Sequence, residues 1–303
     1  MVVRKGDSGA VVEAIQTKLG IEADGAFGPN TEAAVEQFQR EKGLEPDGVV
    51  GPNTASVLGL DLEELLTTDT ADRSFVTAEG LLIQKSYLDE GQYCCGPTDK
   101  FYVFLHHTAG GHDPFATVRN WNNDSRGRIA TQFVVGNKST RGDTSRDGVV
   151  VECFPQAAWA YHLGESKSRL LHPHSIGIEI CNYGWLEKKD GRFHTYVDSE
   201  VPEDQVCDLG FVFRGHRYYH KYSDTQIASV RGLLKEIALR HSKVDLAEGI
   251  PRWLRDQDPG KIFDYSEPAC KGEVRGLLTH TNTRSDKSDC SPQPALVEML
   301  RSL

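Results

Sequence analysis

An internal repeat near the N-terminus restricts how the first sixty residues can fold. The segment Asp24–Thr31 returns 23 residues later as Asp47–Thr54, with six of eight positions identical. In each copy Asp-Gly predicts a turn and Gly-Pro predicts a helix start, because proline suits the first helical turn. Apolar residues at helical spacing precede and separate the copies, at Val12, Ile15, Leu19, Ala34, Val35 and Phe38. We predict a small domain of three short helices over residues 1–60.

This segment resembles the three-helix peptidoglycan-binding domain. The start Lys5-Gly6-Asp7-Ser8-Gly9, the pair Ile15-Gln16 and both Asp-Gly turns match that family's marks over essentially the whole segment. The repeat taken alone specifies only turns. The resemblance implies that the domain binds bacterial peptidoglycan, without marking which side chains contact the glycan.

Composition excludes several classes of function. The formal net charge of −10 argues against nucleic acid as a partner, because no basic excess neutralises phosphates. No run of 18 apolar residues predicts a membrane span. The N-terminus lacks the apolar core and cleavage site of a signal peptide, so we expect synthesis in the cytoplasm. The seven cysteines, including vicinal Cys94 and Cys95, are an odd number and indicate mostly reduced thiols.

A second domain is predicted from residue 101 to residue 303. Residues 61–100, first acidic and then irregular, indicate a linker leading into it. Residues 183–223 are polar and aromatic without clear period, and we interpret them as an insertion near the site. The predicted elements are strands at Phe101–His106, Ile129–Gly136, Gly148–Phe154, Ser175–Cys181 and Arg275–Thr279, and helices at Phe115–Asn122, Asp224–His241 and Pro294–Leu303. The fold class is therefore α/β, a mixed β-sheet flanked by helices, preceded by the small all-α domain.

Two adjacent histidines end the first predicted strand of this domain. Strand alternation places His106 and His107 on opposite faces, so only one of them serves a given site directly. A single histidine at a strand end is more often structural than a ligand. A second histidine segment at His280 favours the ligand interpretation.

Glu179 lies in a strand whose isoleucines form one apolar face. It shares the other face with Gly177, whose missing side chain leaves open space beside the carboxylate. Glu179 is either a solvent-facing acid on an edge strand or a half-buried base with a raised pKa. The isoleucine-rich pattern favours the base.

Residues 101–303 resemble the zinc-dependent N-acetylmuramoyl-L-alanine amidases, whose fold is shared with peptidoglycan recognition proteins. Four motifs carry the resemblance in the family's order, namely Leu105–Gly110, Trp159–Gly164, Ser175–Glu179, and His280 with Lys287–Asp289. The resemblance implies hydrolysis of the amide that joins the lactyl group of N-acetylmuramic acid to the L-alanine of the stem peptide.

Carried over by position, the resemblance implies a zinc site. His106 and His280 are two ligands, and Asp289, two residues after Lys287, is the third. Two histidines and one carboxylate leave a fourth position open for water, whose pKa zinc lowers. Glu179 then takes the proton of the water and passes it to the leaving amine, while Lys287 stabilises the oxyanion.

Three more residues are predicted to contact the substrate. His107 is the supporting neighbour of His106. Tyr161 and His162 lie in the loop that the family places beside the scissile bond. His162 either positions the substrate or supports the oxyanion, and a structural role is an equal alternative.

The sequence departs from the family's pattern in two places. Where many relatives carry a tyrosine, this chain has Thr131 or Gln132, so Glu179 acts without that partner or the insertion supplies one. The proline that usually follows the third ligand is Cys290 here. Because thiolate is a good zinc ligand, Asp289 and Cys290 both remain candidates.

Together these features predict a two-domain murein hydrolase that binds Zn²⁺ and acts as a monomer on the cell wall. A leading binding domain without an export signal suggests a phage endolysin. The alternatives are a host or effector cell-wall amidase, a non-catalytic peptidoglycan sensor on the same fold, and a glycosidase. A glycosidase would need paired carboxylates, and no convincing partner for Glu179 is present.

Overall fold

The computed structural model describes residues 2–7, 10–61, 74–164 and 167–303. Ser8, Gly9 and the acidic segment 62–73 lie outside the described residues. The chain forms two compact units, Met1–Phe75 and Val76–Leu303. Among the described residues, no helix is long and apolar enough to cross a membrane.

The first unit contains helices α1 (Ala10–Leu19), α2 (Pro29–Glu41) and α3 (Pro52–Leu58). Prolines open α2 and α3, as the repeat predicts, because their fixed φ suits the first turn. The helices enclose an apolar core that includes Val12, Ile15, Phe27, Val35, Val50 and Leu58. The predicted small all-α domain is confirmed.

A buried glutamine clamps each repeat turn from eight residues upstream. Gln16 Nε2 lies 2.6 Å from Asp24 Oδ1, 3.0 Å from the Ala26 carbonyl and 3.0 Å from Thr31 Oγ1. Its Oε1 accepts a hydrogen bond from the Gly25 N–H at 2.8 Å. Gln39, 23 residues later, makes the matching contacts with Asp47 (2.7 Å), Val49 (2.9 Å), Thr54 (3.2 Å) and Gly48 (3.0 Å). The repeat therefore includes the glutamines, which satisfy the buried polar groups of the turns.

Short strands and helices make up the rest of the chain, with β1 (Ser74–Val76) at the boundary of the two units. The strands that follow are β2 (Leu82–Lys85), β3 (Cys94–Cys95), β4 (Tyr102–His107), β5 (Phe133–Val135), β6 (Val150–Glu152), β7 (Ala158–Trp159), β8 (Ser175–Ile180), β9 (Trp185–Lys189), β10 (Arg192–His194), β11 (Glu200–Val201), β12 (Val206–Phe213), β13 (His216–His220) and β14 (Gly276–Thr279). The helices are α4 (Pro114–Asn122), α5 (Asp224–Arg240), α6 (Ile250–Trp253), α7 (Pro259–Ile262), α8 (Glu267–Cys270), α9 (His280–Thr283) and α10 (Pro294–Arg301), with 3₁₀ turns at Lys167–His174 and Glu203–Gln205.

The main sheet is mixed, with strand order β1-β2-β6-β5-β8-β4-β14. Strand β4 runs parallel to β8 on one side and to β14 on the other, and all six of its residues are buried. Helix α4 packs near β5 and β6, and α5 packs against α10. The predicted mixed sheet flanked by helices is confirmed.

Three details differ from the sequence prediction. The predicted strand over 129–136 is regular only at Phe133–Val135, and Ile129 forms an isolated bridge with Tyr161. The predicted linker contributes Leu82–Lys85 to the main sheet, where it pairs in parallel with β6. That strand buries only Ile83 completely, so it leaves little hydrophobic pattern in the sequence.

The third difference is that residues 183–223 form a second antiparallel sheet, with order β11-β10-β9-β13-β12. We name this part the insertion sheet. Its core is small, built on Leu186, Phe193 and Val201. The register of β12 with β13 shifts between Asp208 and Phe213. The small core and the shifted register explain why no clear period is visible in the sequence.

Candidate functional site

The candidate site lies where parallel strands β4, β8 and β14 end. His106 of β4 is directly opposite Glu179 of β8. His280 follows β14 at once, as the first residue of α9, where Asn282 Oδ1 accepts a hydrogen bond from the Thr279 N–H at 2.9 Å. Because the carboxyl ends of parallel strands meet at one edge, the three side chains converge there despite their distance in sequence.

Three buried side chains could hold a metal ion. One ligand atom from each of His106, His280 and Asp289 lies within 4.8 Å of the others. Asp289 Oδ2 is 3.0 Å from His280 Nδ1 and 3.4 Å from His106 Nδ1. Ligands at zinc bond lengths around a tetrahedron are about 3.3 Å apart, so the observed spacing and donor types fit zinc.

The surroundings of His106 and Asp289 keep both side chains in the protonation states that a metal requires. Burial, together with the neighbouring His280, lowers the pKa of His106 to about 4, so its ring is neutral at neutral pH. Burial alone would raise the pKa of Asp289, but His280 and His106 hold it well below its ordinary value. A neutral His106 imidazole and an ionised Asp289 carboxylate are the forms that bind a divalent cation.

Glu179 and Lys287 line the same cavity, which has a volume of about 360 Å³. Burial raises the pKa of Glu179 well above its ordinary value, and the charge of Asp289 adds to the effect. The space predicted to be open beside Gly177 is filled. A Cβ there would lie 2.7 Å from Thr131 Cγ2 and 3.1 Å from His162 Nδ1, so the glycine admits these neighbours rather than substrate.

His162 lines the cavity and contacts the ring of His106. Its Nδ1 is 3.0 Å from His106 Nε2, and its Nε2 is 2.8 Å from Ser175 Oγ. Ser175 in turn donates to the carbonyl of His172 at 3.3 Å. If His106 binds a metal through Nδ1, its Nε2–H donates to His162, whose Nε2–H donates to Ser175, and one tautomer is fixed along the chain. Sequence reasoning missed Ser175, although it opens the strand that carries Glu179.

Residues 98–261 match the sequence profile of the N-acetylmuramoyl-L-alanine amidases, which covers more than half of the chain. The chain belongs to this family. Residues 8–58 of the amidase match the profile described as a putative peptidoglycan binding domain. The protein is therefore a peptidoglycan amidase with a second wall-directed domain, and it acts on the cell wall.

Solved structures resemble parts of the amidase. The SleB N-terminal domain is 34% identical over 20% of this chain and 89% of its own, with a TM-score of 0.19. A mutant endolysin from Bacillus subtilis is 18% identical over 57% of this chain and 81% of its own, with a TM-score of 0.34. The Ph2119 endolysin from Thermus scotoductus MAT2119 bacteriophage Ph2119 is 14% identical over 69% and 90%, with a TM-score of 0.34. No curated protein sequence matches the chain significantly.

The other two predicted substrate contacts of the amidase differ in exposure. Tyr161 is 39% exposed and lines the cavity, with its ring 5.4 Å from the ring of Trp159. His107 is buried, its Nδ1 lies 3.4 Å from the Tyr222 hydroxyl, and a Cβ on Gly184 would lie 2.8 Å from its Nε2. Substrate contact by His107 stays a prediction, and its ring is held mainly by protein.

The two departures from the family's pattern occupy distinct places. Thr131 lines the cavity and donates through Oγ1 to the Phe133 carbonyl at 2.9 Å, whereas Gln132 is buried. Cys290 is fully buried beside the Tyr222 hydroxyl, and burial raises the pKa of its thiol well above the ordinary value. The geometry favours Asp289 over Cys290 as the third ligand, because Asp289 lies against both histidines.

Proposed function

We propose that this amidase is a zinc enzyme that hydrolyses the bond between N-acetylmuramic acid and L-alanine. The observation that carries the proposal is that His106, His280 and Asp289 lie together in the cavity that Glu179 and Lys287 line. Zinc bound there would act as a Lewis acid and lower the pKa of water. The donor set of two histidines and one carboxylate supports this choice of metal.

Separate side chains transfer the proton, stabilise the developing negative charge and hold the ring of His106. Glu179, with its raised pKa, accepts the proton of the attacking water and returns it to the departing α-amine of L-alanine. Lys287 has no ion-pair partner among the described residues, so its ammonium is available to the carbonyl oxygen as negative charge develops. His162 and Ser175 hold the ring of His106 from behind.

The test is digestion of purified murein followed by mass spectrometry, with protein as purified, chelated, and reloaded with zinc. We expect new N-terminal alanine, its loss on chelation, and its recovery with zinc. Full activity of verified metal-free protein would overturn the zinc assignment. New reducing ends would indicate a glycosidase, and binding to sacculi without any cleavage would indicate a sensor.

We further propose the biological role of a phage endolysin that lyses the host wall. The combination of a wall-binding domain and an amidase supports an insoluble substrate, because binding raises the local enzyme concentration. Expression inside bacteria should leave cells intact until the membrane is permeabilised, and lysis should then be rapid. Cleavage of soluble muropeptides without attack on sacculi would point instead to a host recycling amidase.

A further inference from the structure

The metal cavity adjoins two other cavities of different chemistry. One, of about 410 Å³, is lined by Trp185 and His216 of the insertion sheet. The other, of about 870 Å³, is lined by four arginines and, among the residues that the structure describes, by no aspartate or glutamate. Lys287 lines all three cavities. The metal cavity therefore adjoins one cavity with two aromatic rings and Arg214 and another with a cluster of four arginines.

The aromatic cavity is preformed. The rings of Trp185 and His216 are stacked with centroids 4.2 Å apart and planes 9° apart. They come from neighbouring strands β9 and β13, and both side chains are only partly buried. Two parallel rings fixed on a sheet present a platform whose ordering cost is already met before any ligand binds.

Two side chains, Arg214 and Tyr196, connect the insertion sheet to neighbouring loops. Arg214 NH1 donates to the Ser285 carbonyl at 2.5 Å, and Arg214 also pairs with Asp264 at 2.7 Å. The Tyr196 hydroxyl donates to the Ala109 carbonyl at 2.8 Å, in the loop that follows His106 and His107. These contacts tie the insertion sheet to the loop after His107 and to the segment after His280.

The two halves of the substrate suit different side chains, the sugar half aromatic rings and the peptide half arginines. The muramic acid half is a pyranose, with a face of C–H groups that suits the negative face of an aromatic ring and hydroxyls at its edge. The peptide half carries at least its terminal carboxylate, which arginine binds well. Of the arginines, Arg126 and Arg284 are paired with Asp124 and Asp286, while Arg169 is exposed without a partner among the described residues.

We propose that Trp185 and His216 form a sugar subsite that takes the pyranose ring of N-acetylmuramic acid during cleavage. The stem peptide then extends toward the arginine-lined cavity. The hydroxyl of Ser288, which also lines the aromatic cavity, is available to the sugar hydroxyls. This inference rests on the proposed amidase function and assigns the insertion sheet a role in substrate recognition.

The experiment compares two substrates that share one peptide, an N-acetylmuramoyl peptide and the corresponding D-lactoyl peptide without the sugar. For Trp185→Ala we expect kcat/KM on the muramoyl peptide to fall roughly five- to tenfold. On the lactoyl peptide the variant should equal wild type. Trp185→Phe, which keeps an aromatic face, should recover most of the loss.

Phe211→Ala is the matched control, because Phe211 is an exposed ring on the same sheet outside the aromatic cavity. This variant should have the same kcat/KM as wild type on both substrates. Equal losses of Trp185→Ala on both substrates, or no loss on the muramoyl peptide, would overturn the sugar subsite. Wild-type protein that cleaves neither substrate would instead refute the proposed function. If Trp185→Ala does not fold, His216→Ala and titration with N-acetylmuramic acid give the same decision.

Discussion

The three-helix domain and the candidate metal site both bury polar groups. The groups that contact each other lie at different separations along the chain in the two regions. The partners of Gln16 lie within 15 residues of it along the chain. His106 and Asp289, the proposed metal ligands, are 183 residues apart in the chain. A local clamp can be copied by repeating a short segment, whereas a site with ligands this far apart exists only once the sheet has formed.

The two regions also differ in how completely their polar groups are paired. Gln16 and Gln39 use both ends of their amides in hydrogen bonds. In the candidate site, by contrast, His280 Nε2 is buried with no hydrogen-bond partner among the described residues, and burial raises the pKa of Glu179. Full pairing stabilises a fold, and incomplete pairing with shifted pKa values is typical of sites that bind or react.

The sharpest contrast should come from Glu179→Gln, which keeps the size of the side chain and removes the base. We expect turnover to fall roughly 10²–10⁴-fold while zinc content stays constant. Glu187→Gln, at an exposed position of the insertion sheet, is the control and should have no effect. Near wild-type turnover of Glu179→Gln would move the base to another residue.

The next effect concerns the third ligand. Asp289→Ala should weaken zinc affinity by more than about 100-fold, since it removes a direct ligand, and activity should fall with it. Cys290→Ser should keep zinc and most activity, because Cys290 lies against Tyr222. Competition with a chromogenic chelator measures the zinc affinity of both variants. Loss of metal in Cys290→Ser but not in Asp289→Ala would reverse the assignment.

The hydrogen-bonded chain behind His106 should have a smaller effect. His162→Phe and Ser175→Ala should each weaken zinc affinity about 10- to 100-fold, because the orientation of His106 is no longer fixed. His174→Gln is the matched control, since His174 contacts the Asp99 carbonyl instead. Unchanged zinc affinity in both variants would leave His162 with a direct substrate role or a structural one.

The smallest expected effect is in the three-helix domain, where Gln39 clamps the second repeat turn. Gln39→Ala should destabilise that unit by about 1–3 kcal/mol, the usual cost of leaving buried polar groups unpaired. Calorimetry should show one unfolding transition at a lower temperature. Binding to sacculi should weaken as the temperature approaches that transition. Hydrolysis of a small soluble muropeptide should not change. If Gln39→Ala lowered both the stability of the three-helix domain and the hydrolysis of the soluble muropeptide, the two regions would be energetically coupled, contrary to the comparison above.

Much of the architecture was predictable because it follows from local patterns. The prolines at the starts of α2 and α3, the apolar run Tyr102–Leu105 in β4 and the alternation along β8 are visible in the sequence. The insertion sheet was not predictable. Its strands bury few residues and shift register, so neither period 2 nor a hydrophobic run identifies them.

The sequence by itself determined the family, the two-part organisation and the residue types of the site. Only the tertiary structure decided which atoms meet. It turned His162 toward His106, filled the space beside Gly177 with Thr131, and put Cys290 against Tyr222. The physical reason is that propensity and pattern act over a few residues. Contacts at the ends of parallel strands depend instead on register and packing between segments far apart in the chain.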